Sequence, residues 1–288
     1  MKTHTTKTIM PGKLTIMLCI FMLLFSTKIS AQDSSKINCI FAPSYYKIVP
    51  IFTADSRAHR LSMQKNFDVN NYTASMGGVF PFLWIKKGNK IIQLSAAGST
   101  YLTLTRETHS GNLQNIDFFG DLFCDIKLNK NYQLRLGTGH SSQHMSDDAI
   151  TSGMPFKNYA KDYHQVLLVY QHTNLARTKS QLIYAGLSYN YNFKTTGDIS
   201  NKVLLQCGFE HTPVKLRKGH FLYYAADLKW RQELDFAYTT NFQIGYKTMD
   251  VFGKTMRIAI DYTKGIDERG YYQPMKRDFF HLGFYFDL

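Results

Sequence analysis

His140 and Ser142 are the residues of this 288-residue chain whose types and spacing could do chemistry. They lie in Gly139-His140-Ser141-Ser142-Gln143-His144-Met145-Ser146-Asp147-Asp148. Just upstream, Tyr132, Leu134, Leu136 and Thr138 occupy alternate positions, the apolar face of a strand. Continued at period two, that face takes in His140 and Ser142. Spacing i, i+2 then sets imidazole and hydroxyl side by side, where they can hydrogen-bond as an activated oxygen nucleophile does. Two other readings stand beside this one. The pair, with His144, can be polar side chains at a strand end, satisfied by neighbours and water. His140 and His144 can be metal ligands, although i, i+4 suits a helix better than a strand. Asp147 and Asp148 read as solvated loop acids that could, with Ser146, hold a calcium ion at the rim.

A strand that carries such residues needs a sheet around it, and the same alternation recurs along the chain. Ile116, Phe118, Gly120, Leu122, Cys124 and Ile126 face one way, while Asp117, Asp121, Asp125 and Lys127 face the other. Met256, Ile258, Ile260 and Tyr262 oppose Arg257, Asp261 and Thr263; Leu222, Tyr224, Ala226, Leu228 and Trp230 oppose Asp227 and Lys229. A soluble sandwich must keep its inner face dry, so charges concentrated on one face argue against it. A barrel with a polar interior accommodates them. The last residues, Phe280, Leu282, Phe284, Phe286 and Leu288 against His281, Gly283 and Asp287, resemble the closing-strand signal read by the outer-membrane barrel-insertion machinery. That signal usually ends in Phe, and this one ends in Leu288. Tyr and Phe number 19 and 21, which suits aromatic girdles at two membrane interfaces.

The other end of the chain reads as a leader. Lys2, Lys7 and Lys13 precede the apolar run Leu14 to Phe25, and Ser30-Ala31 supplies small residues before Gln32. Residues 1–31 are therefore expected to be a cleaved secretory signal peptide. The run falls short of the roughly 20 residues of a spanning helix. No small residues precede Cys19, which excludes a lipobox. Cys39, Cys124 and Cys207 then remain, an odd set without metal spacing, so no disulfide framework is implied. Net charge is +13, or +9 without the four leader lysines. No basic helix or nucleic-acid motif accompanies it. Phospholipid and lipopolysaccharide headgroups are the expected partners, and nucleic acid is not.

Twelve strands are expected, at about 59–67, 73–86, 90–104, 114–128, 132–143, 162–172, 180–192, 201–211, 220–230, 235–247, 255–264 and 279–288. Twelve is even, as closure with both ends on one side requires; ten is the alternative, the first strand and the 220–247 hairpin having the weakest patterns. The fold class is thus all-β, a single transmembrane antiparallel β-barrel over 59–288, with 32–58 as a periplasmic lead-in. Its expected location is the outer membrane of a Gram-negative bacterium. The loops 145–161 and 265–278 then face outward. Asp117, Asp121, Asp125, Lys127, Arg135 and Asp261 read as an interior ion-pair network, or alternatively as a pore lining.

Two resemblances add to this reading. Four stretches resemble the domain-of-unknown-function family 1207 of bacterial outer-membrane barrels. They are His140-Ser-Ser-Gln-His144-Met-Ser-Asp147-Asp148, Asn158-Tyr159-Ala-Lys-Asp162-Tyr163, Ala225-Ala226-Asp227-Leu228-Lys229, and Met256 to Leu288 with Asp261-Tyr262-Thr-Lys-Gly265 and Tyr271-Tyr272. Ser146 stands where Gly is usual and Asp148 where Glu is usual. This resemblance implies a barrel and no activity.

His140-x-Ser142 also resembles the His-x-Ser of outer-membrane phospholipase A and lipid A 3-O-deacylase. It implies a lipid ester hydrolase with His140 as base, Ser142 as nucleophile, and Asn158 or Asp162 orienting the imidazole. It further implies that a homodimer can complete the site. Gln143-His144 departs from the Asn-Gly of the phospholipase, which weakens any oxyanion-hole or calcium role built on that dipeptide. No cofactor is implied beyond calcium. The competing expectation is a non-enzymatic barrel, either a small channel or an envelope surface or structural protein.

Overall fold

Period-two alternation becomes a closed wall. The computed structural model describes residues 37–41, 46–88, 90–107, 110–151, 153, 159–173, 180–195, 203–249, 254–268 and 276–288. The strands are β1 (Asn38–Ile40), β2 (Leu61–Asn66), β3 (Asn71–Lys87), β4 (Lys90–Glu107), β5 (Ser110–Lys127), β6 (Tyr132–Met145), β7 (Tyr159–Thr173), β8 (Ser180–Thr195), β9 (Val203–Arg217), β10 (His220–Arg231), β11 (Ala237–Met249), β12 (Thr255–Ile266) and β13 (Lys276–Asp287). One helical turn, α1 (Asp147–Thr151), follows β6, and a 3-10 turn at Gln232–Leu234 joins β10 to β11.

Sequence neighbours from β2 to β13 pair antiparallel, and β13 pairs back onto β2, which closes a twelve-stranded barrel. Each of the twelve expected strands coincides with one of β2 to β13. β1 is additional: it pairs with Trp84–Lys86 of β3, beyond the reach of the short β2. Its three residues carry no periodic signal. A bulge at Phe82, beside Pro81, shifts the β3–β4 register and turns Trp84 inward against Tyr46. Trp84 is therefore not the surface anchor that its residue type suggests.

The outward face is apolar and open: Leu122, Ile244 and Phe284 are 57%, 63% and 55% exposed. They belong to a belt that runs round the barrel and that also includes Phe118, Val166, Leu187 and Ile260. A soluble monomer does not present such a belt, whereas it is the lipid-facing surface of an outer-membrane-type barrel. Cys124 and Cys207 sit on this side with free thiols, and Cys39 is also free.

The inward face is polar and filled. Residues 46–60, mostly within the expected lead-in, run through the lumen. Ile48, Val49 and Phe52 pack on Leu167, Val169, Leu182 and Tyr184, which point inward from β7 and β8. The Phe52 and Tyr184 rings stack at 3.8 Å. Polar groups of the segment are matched to the wall. His59 bonds Ser99 through Nδ1 at 3.0 Å and Asp121 through Nε2 at 2.8 Å. The Arg60 guanidinium donates to the Thr53 and Asp55 carbonyls, which folds the segment on itself. Arg135 grips Asp125 through two hydrogen bonds of 2.7 and 2.8 Å and also reaches the Val49 carbonyl.

Tyr184 also donates to Asp227 at 2.7 Å, and Gly208 makes room for it. A Cβ at Gly208 would stand 2.3 Å from the phenol and 2.5 Å from the Ala226 carbonyl oxygen. Overpacking of this kind costs about 1–3 kcal/mol. Gly208→Ala is accordingly expected to lower the urea midpoint of the refolded barrel; an unchanged midpoint would show that Tyr184 moves aside freely.

Candidate active site on the outer wall

β6 alternates as its sequence requires. Gln133, Arg135, Ser141 and Gln143 are buried inside, while Tyr132, Leu134, Leu136, Thr138, His140, Ser142 and His144 face out. On β7 the outward residues are Ala160, Asp162, His164, Val166 and Leu168. The register places His140 directly opposite Asp162, and Ser142 opposite Ala160. His140 Nδ1 donates to Asp162 Oδ1 at 2.6 Å, with the two side chains 54% and 27% exposed on the wall. In the tautomer that carries its proton on Nδ1, this bond is satisfied and Nε2 presents its lone pair.

A third strand completes the arrangement. Asn192 Nδ2 donates to Asp162 Oδ2 at 2.6 Å, so both carboxylate oxygens are engaged. Tyr191 beside it stacks on His164, with ring centroids 4.5 Å apart. Ser142 shares the outward face of His140, between Phe118 of β5 and Ala160 of β7. Among the described residues it makes no hydrogen bond to the imidazole. Such bonds are often loose without substrate and tighten in the complex. The other side of His140 is open, because Gly120 is its partner on β5 and a Cβ there would meet nothing within 4 Å.

The expected site residues fall into place unevenly. His140, Ser142 and Asp162 share one outward patch. Asn158 lies outside the described residues. His144 packs edge-on against Phe118 at 6.0 Å. Ser146 caps α1: its Oγ accepts from the Ala149 N–H at 3.1 Å and donates to the Leu113 carbonyl. Asp147 is exposed, and the Asp148 side chain is outside what is described. Among the described residues no group of three His, Cys, Asp or Glu side chains is arranged to hold a metal. Asn192 was not legible, because strict alternation along β8 points it inward.

The interior acids and bases are largely committed to the luminal segment and to one another. Lys229 reaches Asp55 at 2.6 Å, Glu268 at 3.0 Å and Asp227 at 3.4 Å. Asp261 accepts from Tyr285 and Gln243. Cavities of about 100 and 80 Å³ remain on either side of Arg57, with room for a few waters each.

A closed twelve-stranded wall, an apolar outer belt and an occupied lumen define a plugged outer-membrane-type β-barrel. The chain belongs to the family described as Protein of unknown function (DUF1207), whose model matches residues 24–288. No curated protein sequence matches it. Among solved structures it is similar to BamA from Haemophilus ducreyi lacking POTRA domains 1–3, at 8% identity, with 87% of this chain and 75% of that chain covered and a TM-score of 0.28.

Proposed function

We propose that this barrel is a serine-dependent lipid acyl hydrolase working on ester-linked acyl chains in the outer leaflet of the outer membrane. The observation that carries the reading is the 2.6 Å bond from His140 to Asp162 on the lipid-facing wall, with Ser142 on the same face. Ionisable groups exposed toward lipid cost free energy and are kept where they serve a function. His140 lies eight residues along β6 from Tyr132, roughly 26 Å at about 3.3 Å per residue. With the strand tilt of about 40° usual in such barrels, that is roughly 20 Å above the Tyr132–Tyr170 pair, in the upper part of an apolar band about 25 Å tall. Placed there, the patch meets the ester region of outer-leaflet lipid.

In the proposed reaction, Ser142 Oγ attacks the ester carbonyl and its proton passes to His140 Nε2. The same proton then goes to the departing alcohol oxygen, which leaves an acyl-Ser142 ester. Water, deprotonated by Nε2, releases the fatty acid and restores the hydroxyl. Asp162 orients the ring and stabilises the imidazolium. The filled lumen argues against a small channel, because most of the luminal charges are engaged by the segment or by one another.

The test is fatty-acid release by the refolded barrel from phospholipid and from lipid A, with and without calcium. Ser142→Ala is expected to lower release by on the order of 10³-fold or more, and His140→Ala comparably. Loss on chelation would show that release requires a metal ion. Equal release by wild type and Ser142→Ala, or none from either lipid, would overturn the hydrolase.

A further inference from the structure

The β7–β8 ladder contains one irregularity, and it lies at this site. Asp162 pairs with Asn192 and Tyr163 with Asn190, so Tyr191 is an additional residue on β8. Up to that point β8 alternates, with Tyr184 and Asn190 buried and Ile183, Leu187 and Tyr189 exposed. Continued alternation would turn Tyr191 out and Asn192 into the lumen. The bulge turns both outward. A bulge re-aims a side chain at the expense of local pairing. Here the re-aimed side chain is an amide delivered to the oxygen of Asp162 that His140 leaves unused.

We propose that Asn192 is the positioning residue of this site, and that the bulge at Tyr191 serves to place it there. With Oδ1 bonded to His140 and Oδ2 bonded to Asn192, rotation of the carboxylate about its χ2 bond is restrained, so Oδ1 meets the imidazole in one orientation. Stacking of Tyr191 on His164 braces the bulge from the strand that carries Asp162. Asn192 makes no hydrogen bond to Ser142 or to the ring. Its effect therefore passes through Asp162 and falls on turnover rather than on lipid binding. The effect on hydrolysis rests on the hydrolase reading, whereas the effect on His140 geometry does not.

Two readouts on wild type, Asn192→Ala and Asn192→Gln separate these. The first is kcat and KM for fatty-acid release from micellar phospholipid. The second is the 15N spectrum of the His140 ring in the refolded, histidine-labelled barrel, which reports the Nδ1–H fraction whether or not the protein is active. The expected result is a kcat lowered 10- to 100-fold in Asn192→Ala at unchanged KM. The ring spectrum should shift toward mixed tautomers, and Asn192→Gln should recover part of both. Active wild type with unchanged kcat in Asn192→Ala would overturn the positioning role and leave the hydrolase standing. Inactive wild type would remove the hydrolase, and the spectrum would then decide: a tautomer unmoved by Asn192→Ala overturns the proposal, and a moved one upholds it.

Discussion

Replacing Lys229 with methionine is expected to lower the stability of the barrel by about 3–5 kcal/mol, the usual effect of removing one partner from a buried charge cluster. The ammonium is 3% exposed and is shared by three carboxylates from separate parts of the chain. Asp55 comes from the luminal segment, Asp227 from the same strand, and Glu268 from the loop after β12. Arg231 still reaches Glu268, and Tyr184 and Gln206 still donate to Asp227. Asp55 keeps the Gln206 amide, the Arg57 backbone N–H and the field of the Arg57 guanidinium, but loses the ammonium 2.6 Å away. Methionine matches the lysine stem, so the loss reflects charge rather than volume. Urea unfolding in lipid vesicles, followed by the gel shift of the folded band, measures it. Adding Asp55→Asn should recover part of the loss, a coupling that a double-mutant cycle quantifies. A single-variant effect below about 1 kcal/mol would mean that water reaches the cluster and screens it.

Removing residues 46–60 is expected to convert a closed barrel into a conducting one. The segment supplies the apolar filling over Leu167, Val169 and Tyr184 and the partners of Asp121, Lys229 and Arg135. Without it, inward carboxylates and cations face an aqueous lumen of the kind that carries ions. Planar-bilayer recording should show no unit steps for the intact protein and discrete steps for the deletion. Phe52→Asp, which keeps the chain length and breaks the stack on Tyr184, should give brief openings between those extremes. Silent bilayers for both variants, with folded protein confirmed by gel shift, would show that the wall's own side chains close the lumen.

The wall was legible because each strand obeys one rule, apolar outward and polar inward, and period two survives errors of two or three residues at strand ends. What stayed hidden lay where that rule is locally suspended. On β7, Val166 to Val169 is apolar on both faces, so periodicity alone could not orient it. The reason is that Leu167 and Val169 point inward onto Val49 and Phe52. The luminal segment creates an apolar interior patch that a water-filled barrel would lack, and the segment itself has no period to betray it. Asp162 was legible as one of two partners for His140, and register singles it out. Asn192 was not, since a one-residue bulge inverts the parity on which any reading of faces depends.

The occupied lumen also constrains the order of assembly. Phe52 stacks on β8, Thr53 contacts Glu210 and Arg257, Asp55 pairs with β10, and Lys47 donates to the carbonyl of Leu288. A segment near residue 50 therefore has some of its partners more than 100 residues later in the chain. A closed cylinder offers it no lateral entrance, and enclosing the segment as β13 meets β2 avoids threading it through an end of the barrel. On that route filling and closing are one event, governed by the slowest and most distant contacts in the molecule. An assembly factor acting on this chain would then hold the wall open until its contents are seated.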